Sequence, residues 1–283
     1  MLSEPTATPP KKGRPKLQAK VVPLHNLPGD TKEDKLSLLL GMWQGCEKCT
    51  LGAFRKHLTH SEIVFGDGNT SADVIIVGEA PGAEEVKGLV PFIGPSGRLL
   101  NQMLASVSDS PAIQAASAEF SDRSTRNRKD SEEAANLFHS RVFEWRADEF
   151  FITNAVCCQP PDDRQATNTE LHECWERLWN TIYTVDPLLI VALGNTALQA
   201  VTRKQTVQIT KMRGQLFDVE YQGKVGKLTY PVMPILPPSF LQRVADWKVK
   251  DGFFQRSIKD WRTTMGIVDF LRFYNFNTPI PKR

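Results

Sequence analysis

The chain has 283 residues, of which 41% are hydrophobic and 24% charged, and its formal net charge is +3. These values are ordinary for a globular protein with one sizeable core, and they exclude a polycation. No apolar run approaches the roughly 18 residues of a membrane helix, and the N-terminus lacks the apolar segment of a secretory signal. We therefore expect a cytoplasmic protein that is not secreted, with cysteines that are ligands or free thiols rather than disulfides.

The first 32 residues differ from the rest of the chain. Residues 1–20 hold five basic residues against the single acid Glu4, are rich in Pro, Ser and Thr, and lack apolar periodicity. This composition predicts a disordered basic tail over residues 1–32. Its centre resembles an AT-hook, whose Gly-Arg-Pro core enters the minor groove of A·T-rich DNA; a solvated linker or a localisation patch is the alternative. The candidate DNA contacts are Lys11, Lys12, Arg14 and Lys16.

After the tail, apolar runs alternate with segments of helical spacing. Strands are predicted over residues 73–78, 150–156, 188–193 and 231–236. Helices are predicted over residues 33–45, 96–106, 169–183, 195–203 and 249–264. Strands that are apolar on both faces and separated by helices predict an α/β fold with a parallel sheet covered by helices.

Three segments break this alternation. Residues 107–147 are polar and rich in Ser, Ala and Arg, which predicts a long inserted loop. Residues 207–229 alternate in polarity and contain two glycines, which predicts a β-hairpin. Residues 266–283 are aromatic and end in a Pro-rich tip. We expect this C-terminal tail to pack back on the domain, with partner binding as the alternative.

Four cysteines form the most distinctive pattern. Cys46 and Cys49 make a C-x2-C pair, Cys158 follows a predicted strand, and Cys174 lies on the predicted helix 169–183. Four thiolates from separated segments suit a structural metal or an iron–sulfur site. Their spacing alone leaves zinc and iron–sulfur both open, and Cys157 is then a spare thiol.

Three predicted strands end in residues that suit a binding pocket. Gly78–Gly82 leaves the first strand, Thr153 and Asn154 end the second, and Leu236–Ser239 leaves the last. In an open parallel sheet, ligands bind beyond the carboxyl ends of the strands. We therefore expect these three strand ends to converge on one pocket.

Four blocks of sequence resemble family 4 uracil-DNA glycosylases. Gly78–Gly82 with Pro91–Leu100 is similar to the first motif block of that family, Ile152–Pro161 to the second and Pro238–Arg243 to the last. Glu170 to Cys174 and Val191 to Gly194 match the stretch between the last two. The resemblance runs from about residue 46 to 262 and assigns residues 33–265 to one glycosylase-like domain, interrupted by residues 107–147.

The resemblance implies a three-layer α/β/α fold with a four-stranded parallel sheet. It also implies a [4Fe–4S] cluster held by Cys46, Cys49, Cys158 and Cys174. The implied function is DNA repair: a hydrolase that flips uracil out of single- or double-stranded DNA and cleaves its N-glycosidic bond. The expected partners are DNA and proteins of replication or repair, and the expected oligomeric state is a monomer.

The resemblance also implies roles for individual residues. Phe92 would stack on the flipped uracil, and Asn154 would read its edge, because an amide offers both a donor and an acceptor. Glu79 and the backbone around Ala80 would position the attacking water. Glu85 would exclude the 5-methyl group of thymine. The remaining implied contacts are Ser239 in the substrate site and a DNA wedge formed by Leu241, Gln242 and Arg243.

One position departs from the family pattern. The last block of the family opens with a histidine that donates to the charge developing on uracil, whereas this chain has Pro237 there. Proline has no side-chain donor and no N–H. Loss of one such donor costs on the order of 10²–10³ in rate, so we expect slowed uracil excision or a shifted substrate range. The alternative is a weak or inactive iron–sulfur protein that binds DNA or uracil within a replication or repair complex.

Overall fold

The computed structural model describes residues 28–58, 61–123, 128–223, 226–244, 249 and 251–277. The predicted DNA contacts of the basic tail, Lys11, Lys12, Arg14 and Lys16, lie outside these residues, as does the tip of the chain after residue 277. Within the described ranges, no helix is both long and apolar enough to cross a membrane.

The strands of the described chain form one mixed sheet of six strands. They are β1 Asp67–Gly68, β2 Val74–Gly78, β3 Phe150–Asn154, β4 Leu189–Leu193, β5 Phe217–Gly223 and β6 Gly226–Ile235. Their order across the sheet is β1-β3-β2-β4-β6-β5. The central four strands are parallel, and β1 and β5 pair antiparallel at the edges.

The predicted four strands are present and parallel, but the prediction of a four-stranded, all-parallel sheet is wrong, because the sheet is mixed and has six strands. The four predicted strands occupy the centre, and the sheet is extended by β1 on one side and β5 on the other. Neither edge strand has the continuous apolar run that identifies a central strand: β1 is two residues long, and β5 is half of a hairpin with β6. Edge strands such as these are only partly covered, so their sequences carry a weaker signal.

The helices are α1 Lys32–Gln44, α2 Thr50–Arg55, α3 Ala83–Gly88, α4 Pro95–Ala105, α5 Pro111–Arg123, α6 Arg128–Glu149, α7 Asn168–Val185, α8 Gly194–Thr202, α9 Ile209–Met212, α10 Pro238–Val244 and α11 Phe253–Asn277. Every helix predicted from the sequence is present. The last one differs most, because α11 runs without interruption through most of the segment 266–283 that was expected as a separate tail.

The expected inserted loop over residues 107–147 is instead mostly helical. Helices α5 and α6 form a hairpin with a small core of its own. Phe120 and Phe138 stack in it with their ring centroids 5.1 Å apart. The sequence pattern missed these helices because the apolar stripe of each is narrow and the rest is polar, as in a hairpin that buries one face only. The buried members of this core are Ala105, Ile113, Ala116, Phe138 and Val142.

The central strands position the functional residues. Every residue of β2, β3 and β4 is buried. Because neighbouring side chains in a strand point to opposite faces, both faces of the sheet centre are covered, as the α/β prediction requires. The carboxyl ends of the parallel strands lie at one edge, which places the loops after Gly78, Asn154, Leu193 and Ile235 together.

Candidate active site

The first two predicted motifs are neighbours at this edge. Gly78 at the end of β2 pairs in register with Asn154 at the end of β3. The pairing continues beyond the strands, since Ala155 N–H donates to Gly78 O at 2.8 Å and Val156 N–H to Glu79 O at 3.1 Å. The expected convergence of these two strand ends is confirmed.

Asn154 and Phe92 meet across Gly78. A Cβ atom on Gly78 would lie 2.6 Å from Phe92 Cζ and would also overlap Asn154 Oδ1, so only glycine fits between them. Asn154 is 2% exposed, and its Oδ1 has no hydrogen-bond partner in the described structure. A buried polar atom left without a partner costs about 1–3 kcal/mol. A bound donor is the simplest way to recover that free energy.

A buried arginine holds the strand end that carries Asn154. Arg177 of α7 is 1% exposed and donates to Thr153 Oγ1 at 2.9 Å and to Ala155 O at 3.0 Å, and it also bonds Asn154 O. The sequence analysis missed this residue. The available signal was a charged residue on the inward face of α7, one turn after Cys174.

The loop that carries Phe92 is braced by a carboxylate. Glu85 accepts the N–H of Gly82 at 3.1 Å and the N–H of Gly94 at 2.9 Å, so it ties the start of α3 to the start of α4. Phe92, between these two points, has a left-handed φ of 57°. The structure thus places Glu85 on the loop backbone, and its role against the methyl group of thymine stays a prediction.

Glu79 and Ala80 follow β2 directly and are both half-buried. Glu79 Oε1 accepts the N–H of Ala166 at 3.1 Å, from the loop that follows β3. This bond connects the first motif to the segment after the second one. Ala80 packs against the main core.

Comparison with known proteins identifies the family. The family model described as "Uracil DNA glycosylase superfamily" matches residues 65–262. The chain belongs to this superfamily.

Individual relatives narrow this to the type-4 family. The chain is 30% identical to the type-4 uracil-DNA glycosylase of Thermotoga maritima over 213 residues, which is 75% of this chain and 86% of the relative. It is 29% identical to the enzyme of the same name from Archaeoglobus fulgidus, over 65% of this chain and 73% of that one. The corresponding protein of Saccharolobus solfataricus is 27% identical, over 67% and 71%. The family 4 resemblance is confirmed.

The third motif of this type-4 family member follows β6. Pro237 packs against Gly194, where a Cβ atom would lie 2.9 Å from Pro237 Cγ. Pro237 O accepts the N–H groups of Phe240 at 3.0 Å and Leu241 at 3.3 Å, which starts α10. The position that holds a histidine in the family pattern therefore caps a helix here and presents no side-chain donor.

The predicted wedge after Pro237 needs one correction. Leu241 is 1% exposed and belongs to the main core, so it is not part of an exposed wedge. Ser239 and Arg243 are exposed. Gln242 is half-buried and accepts a hydrogen bond from Ser96 Oγ at 3.4 Å, which joins α10 to the start of α4.

The four predicted cysteine ligands share one region of the fold. Cys46 and Cys49 are half-buried in the turn between α1 and α2, whereas Cys158 and Cys174 are buried. Electrostatic interactions connect Cys158 to Cys174 and Cys49, and connect Cys174 to Cys49 and Cys46. Burial, together with the neighbouring thiols, raises the pKa of Cys158 to about 12. A thiol in this environment releases its proton only when a metal cation binds its sulfur.

The cysteine turn is held by a buried arginine and a glycine. Arg55 donates to Gln44 O at 2.8 Å and to Cys46 O at 3.3 Å, and a Cβ atom on Gly52 would overlap the same Cys46 carbonyl. Among the described residues, no three His, Cys, Asp or Glu side chains are close enough for a single metal ion. The cysteines of a four-iron cluster can lie farther apart than the ligands of a single ion, because each of them binds a different iron atom.

Glu170 connects the cysteine turn to the Glu79 loop. It is buried and accepts from Thr50 Oγ1 at 2.8 Å, from Arg164 Nη2 at 2.7 Å and from the N–H of Thr167 at 2.8 Å. Burial alone would raise the pKa of Glu170, but the hydrogen bonds from these partners outweigh it and lower the pKa to about 2. Thr50 follows Cys49, and Thr167 follows the Ala166 that binds Glu79.

Proposed function

We propose that this protein removes uracil from DNA by receiving the flipped nucleotide between Phe92 and Asn154 and hydrolysing its N-glycosidic bond. The observation that carries this proposal is the buried, unpartnered Asn154 Oδ1 beside the Phe92 ring. Such an atom suits a ligand that supplies a donor, and the ring suits a flat heterocycle. The names of the type-4 relatives support uracil as that heterocycle.

The roles of the two pocket residues follow from their chemistry. The imide N–H of uracil would donate to Asn154 Oδ1, while the amide nitrogen would donate to a uracil carbonyl. The Phe92 ring would stack on the base and replace part of the stacking lost on flipping, which costs a few kcal/mol. A site that must satisfy a buried polar group discriminates strongly against bases that lack the matching group.

The bond-breaking step needs a water and a way to stabilise charge. Cleavage leaves a cationic sugar and an anionic uracil, so electrostatic stabilisation of both is the main task of the site. We assign Glu79 and the backbone around Ala80 to the water. Pro237 removes the donor that the family pattern directs at the uracil anion, so we expect a slower enzyme than the pattern predicts. Ser239 is assigned to the substrate site, and Gln242, Arg243 and the basic tail are the proposed DNA contacts.

We further propose that Cys46, Cys49, Cys158 and Cys174 hold a [4Fe–4S] cluster. Two half-buried and two buried thiols from three segments, close enough to interact electrostatically, fit such a group. When bound, the cluster would cross-link the α1–α2 turn to the end of β3 and to α7. Anaerobically purified protein should contain iron and acid-labile sulfide and show visible absorption; stoichiometric zinc instead would contradict this assignment.

The decisive experiment uses an oligonucleotide with one uracil, treated with alkali after incubation with the cluster-loaded protein. We expect strand breaks with wild type and their loss with Asn154→Ala, while Asn168→Ala, an exposed position at the start of α7, serves as the matched control. If wild type yields no breaks on U·G, U·A and single-stranded substrates, the proposal is wrong and a non-catalytic uracil-binding role takes its place.

A further inference from the structure

Helix α6 ends in a buried cation that the sequence analysis assigned to the inserted loop. Arg146 lies in the last turn of α6 and is 2% exposed. Its Nη1 donates to Phe92 O at 3.1 Å and to Asn101 Oδ1 at 2.8 Å, and its Nη2 lies 3.5 Å from Pro91 O. The guanidinium therefore holds the backbone of the residue whose ring lines the proposed uracil pocket.

Burial of the charged Arg146 side chain at this position is unfavourable in free energy. Burial lowers the pKa of Arg146 to about 10, and the negative charge of Asp67 opposes that shift. At neutral pH the side chain is still protonated, so a full charge stays in the interior. Buried charges persist only where paired or fully hydrogen-bonded. The bonds of Arg146 go to carbonyl and amide oxygens of two segments, α4 and the Phe92 loop.

The backbone conformation of Phe92 is also unfavourable in free energy. A bulky residue at φ 57° has a strained backbone, and such residues persist only when several surrounding contacts hold them in place. Gly97 packs behind the loop, since a Cβ atom there would overlap Phe92 O. Glu85 fixes the loop at Gly82 and Gly94, on either side of Phe92. Arg146 is the side chain that binds the Phe92 carbonyl itself.

We propose that Arg146 is a positioning residue of the uracil pocket. It holds Phe92 in the left-handed conformation that presents the ring to the flipped base, and it makes the α5–α6 hairpin part of the glycosylase site. This inference rests on the proposed function. A purely structural Arg146 would instead only join α6 to α4 through Asn101, and its removal would lower stability without changing base preference.

The test measures base preference without requiring cleavage. The probes are two oligonucleotides that differ in one nucleotide: 2′-fluoro-2′-deoxyuridine, whose fluorine destabilises the sugar cation and leaves the glycosidic bond intact, or a stable abasic nucleotide, which offers no base for Phe92 to stack on. We expect Arg146→Met to weaken the preference for uracil by up to about 10-fold, because an effect that acts through Phe92 cannot exceed the loss of its stacking ring. Arg146→Lys, which keeps the charge and some donors, should recover part of it. Arg141→Met, on the exposed face of α6 and paired with Glu119, is the matched control.

A double-mutant cycle separates positioning from stability. If Arg146 acts through Phe92, Arg146→Met should change uracil preference little in a Phe92→Ala background. Equal effects in both backgrounds, or unchanged preference in folded Arg146→Met, would overturn the inference. Should that variant not fold, Arg146→Gln decides in the same way. Uracil preference without cleavage by wild type would contradict only the proposed function, whereas no preference at all would overturn both.

Discussion

Two buried arginines bind the backbones of the two pocket residues from different parts of the fold. Arg177 bonds Asn154 O from α7, the helix that also carries Cys174. Arg146 bonds Phe92 O from α6, in the hairpin that interrupts the family motifs. Each cation holds the backbone of a residue whose side chain lines the proposed site.

The two pocket residues differ in how firmly the rest of the fold holds their backbones. Asn154 lies in a strand whose register with Gly78 is set by the sheet, so Arg177 adds to an ordered ladder. Phe92 lies in a loop with a strained φ and has no ladder to support it. We therefore expect loss of Arg177 mainly to lower the stability of the protein, and loss of Arg146 mainly to weaken its recognition of the base.

The largest effect should come from the two pocket side chains themselves. Asn154→Ala should lower the excision rate about 10²–10³-fold, as for removal of a preorganised hydrogen-bonding group at developing charge. Phe92→Ala should lower it less, about 10-fold, because stacking is worth about 1–3 kcal/mol per base. Single-turnover rates on uracil DNA measure both. A larger loss of rate for Phe92→Ala than for Asn154→Ala would show that stacking on the base contributes more to excision than the hydrogen bonds of Asn154.

Arg177 tests the stability side of the comparison. Arg177→Met leaves buried oxygens of Thr153, Asn154 and Ala155 without their donor, so the free energy of unfolding should fall by about 3 kcal/mol. Urea unfolding followed by tryptophan fluorescence measures this against Arg146→Met. If Arg146→Met destabilises the protein more than Arg177→Met, the two arginines do not divide their roles as stated.

Pro237 tests a strand end that neither arginine contacts. Pro237→His restores a side-chain donor at the position where the family pattern has one, and we expect excision to rise about 100-fold. Pro237→Ala is the control, since it removes the ring and restores the backbone N–H, as Pro237→His does, without adding a side-chain donor. Equal rates for the two variants would show that no donor is missing and that another group already stabilises the uracil anion.

Glu170 gives the smallest effect and a pH signature. Its folded pKa of about 2 lies below the value of about 4.3 for an unfolded glutamate, so its contribution is full above pH 4.3 and is lost as pH falls toward 2. Glu170→Gln should therefore lower the free energy of unfolding by about 2 kcal/mol at pH 7 and by little near pH 2. Glu173→Gln on the same helix should change little at any pH. A pH-independent deficit in Glu170→Gln would point to packing instead.

Much of the site was predictable because strand ends obey a simple rule. Once two apolar runs are read as parallel neighbours, their carboxyl ends must be adjacent, and Asn154 does lie beside Gly78. The errors have physical causes too. Leu241 looked like part of an exposed wedge, yet the turn of α10 buries it. Helices α5 and α6 bury only a narrow stripe against each other, which a polar sequence conceals.

The sequence by itself determined the family and the four central strands, because continuous apolar runs and motif spacing are local properties of the chain. Only the tertiary structure decided which cations support the pocket. Arg146 bonds a residue 54 positions earlier, and Arg177 bonds one 23 positions earlier, through backbone carbonyls that every residue possesses. Because a backbone carbonyl is the same for every residue type, the sequence does not show which residue will accept such a hydrogen bond. These contacts can be identified only in the folded chain.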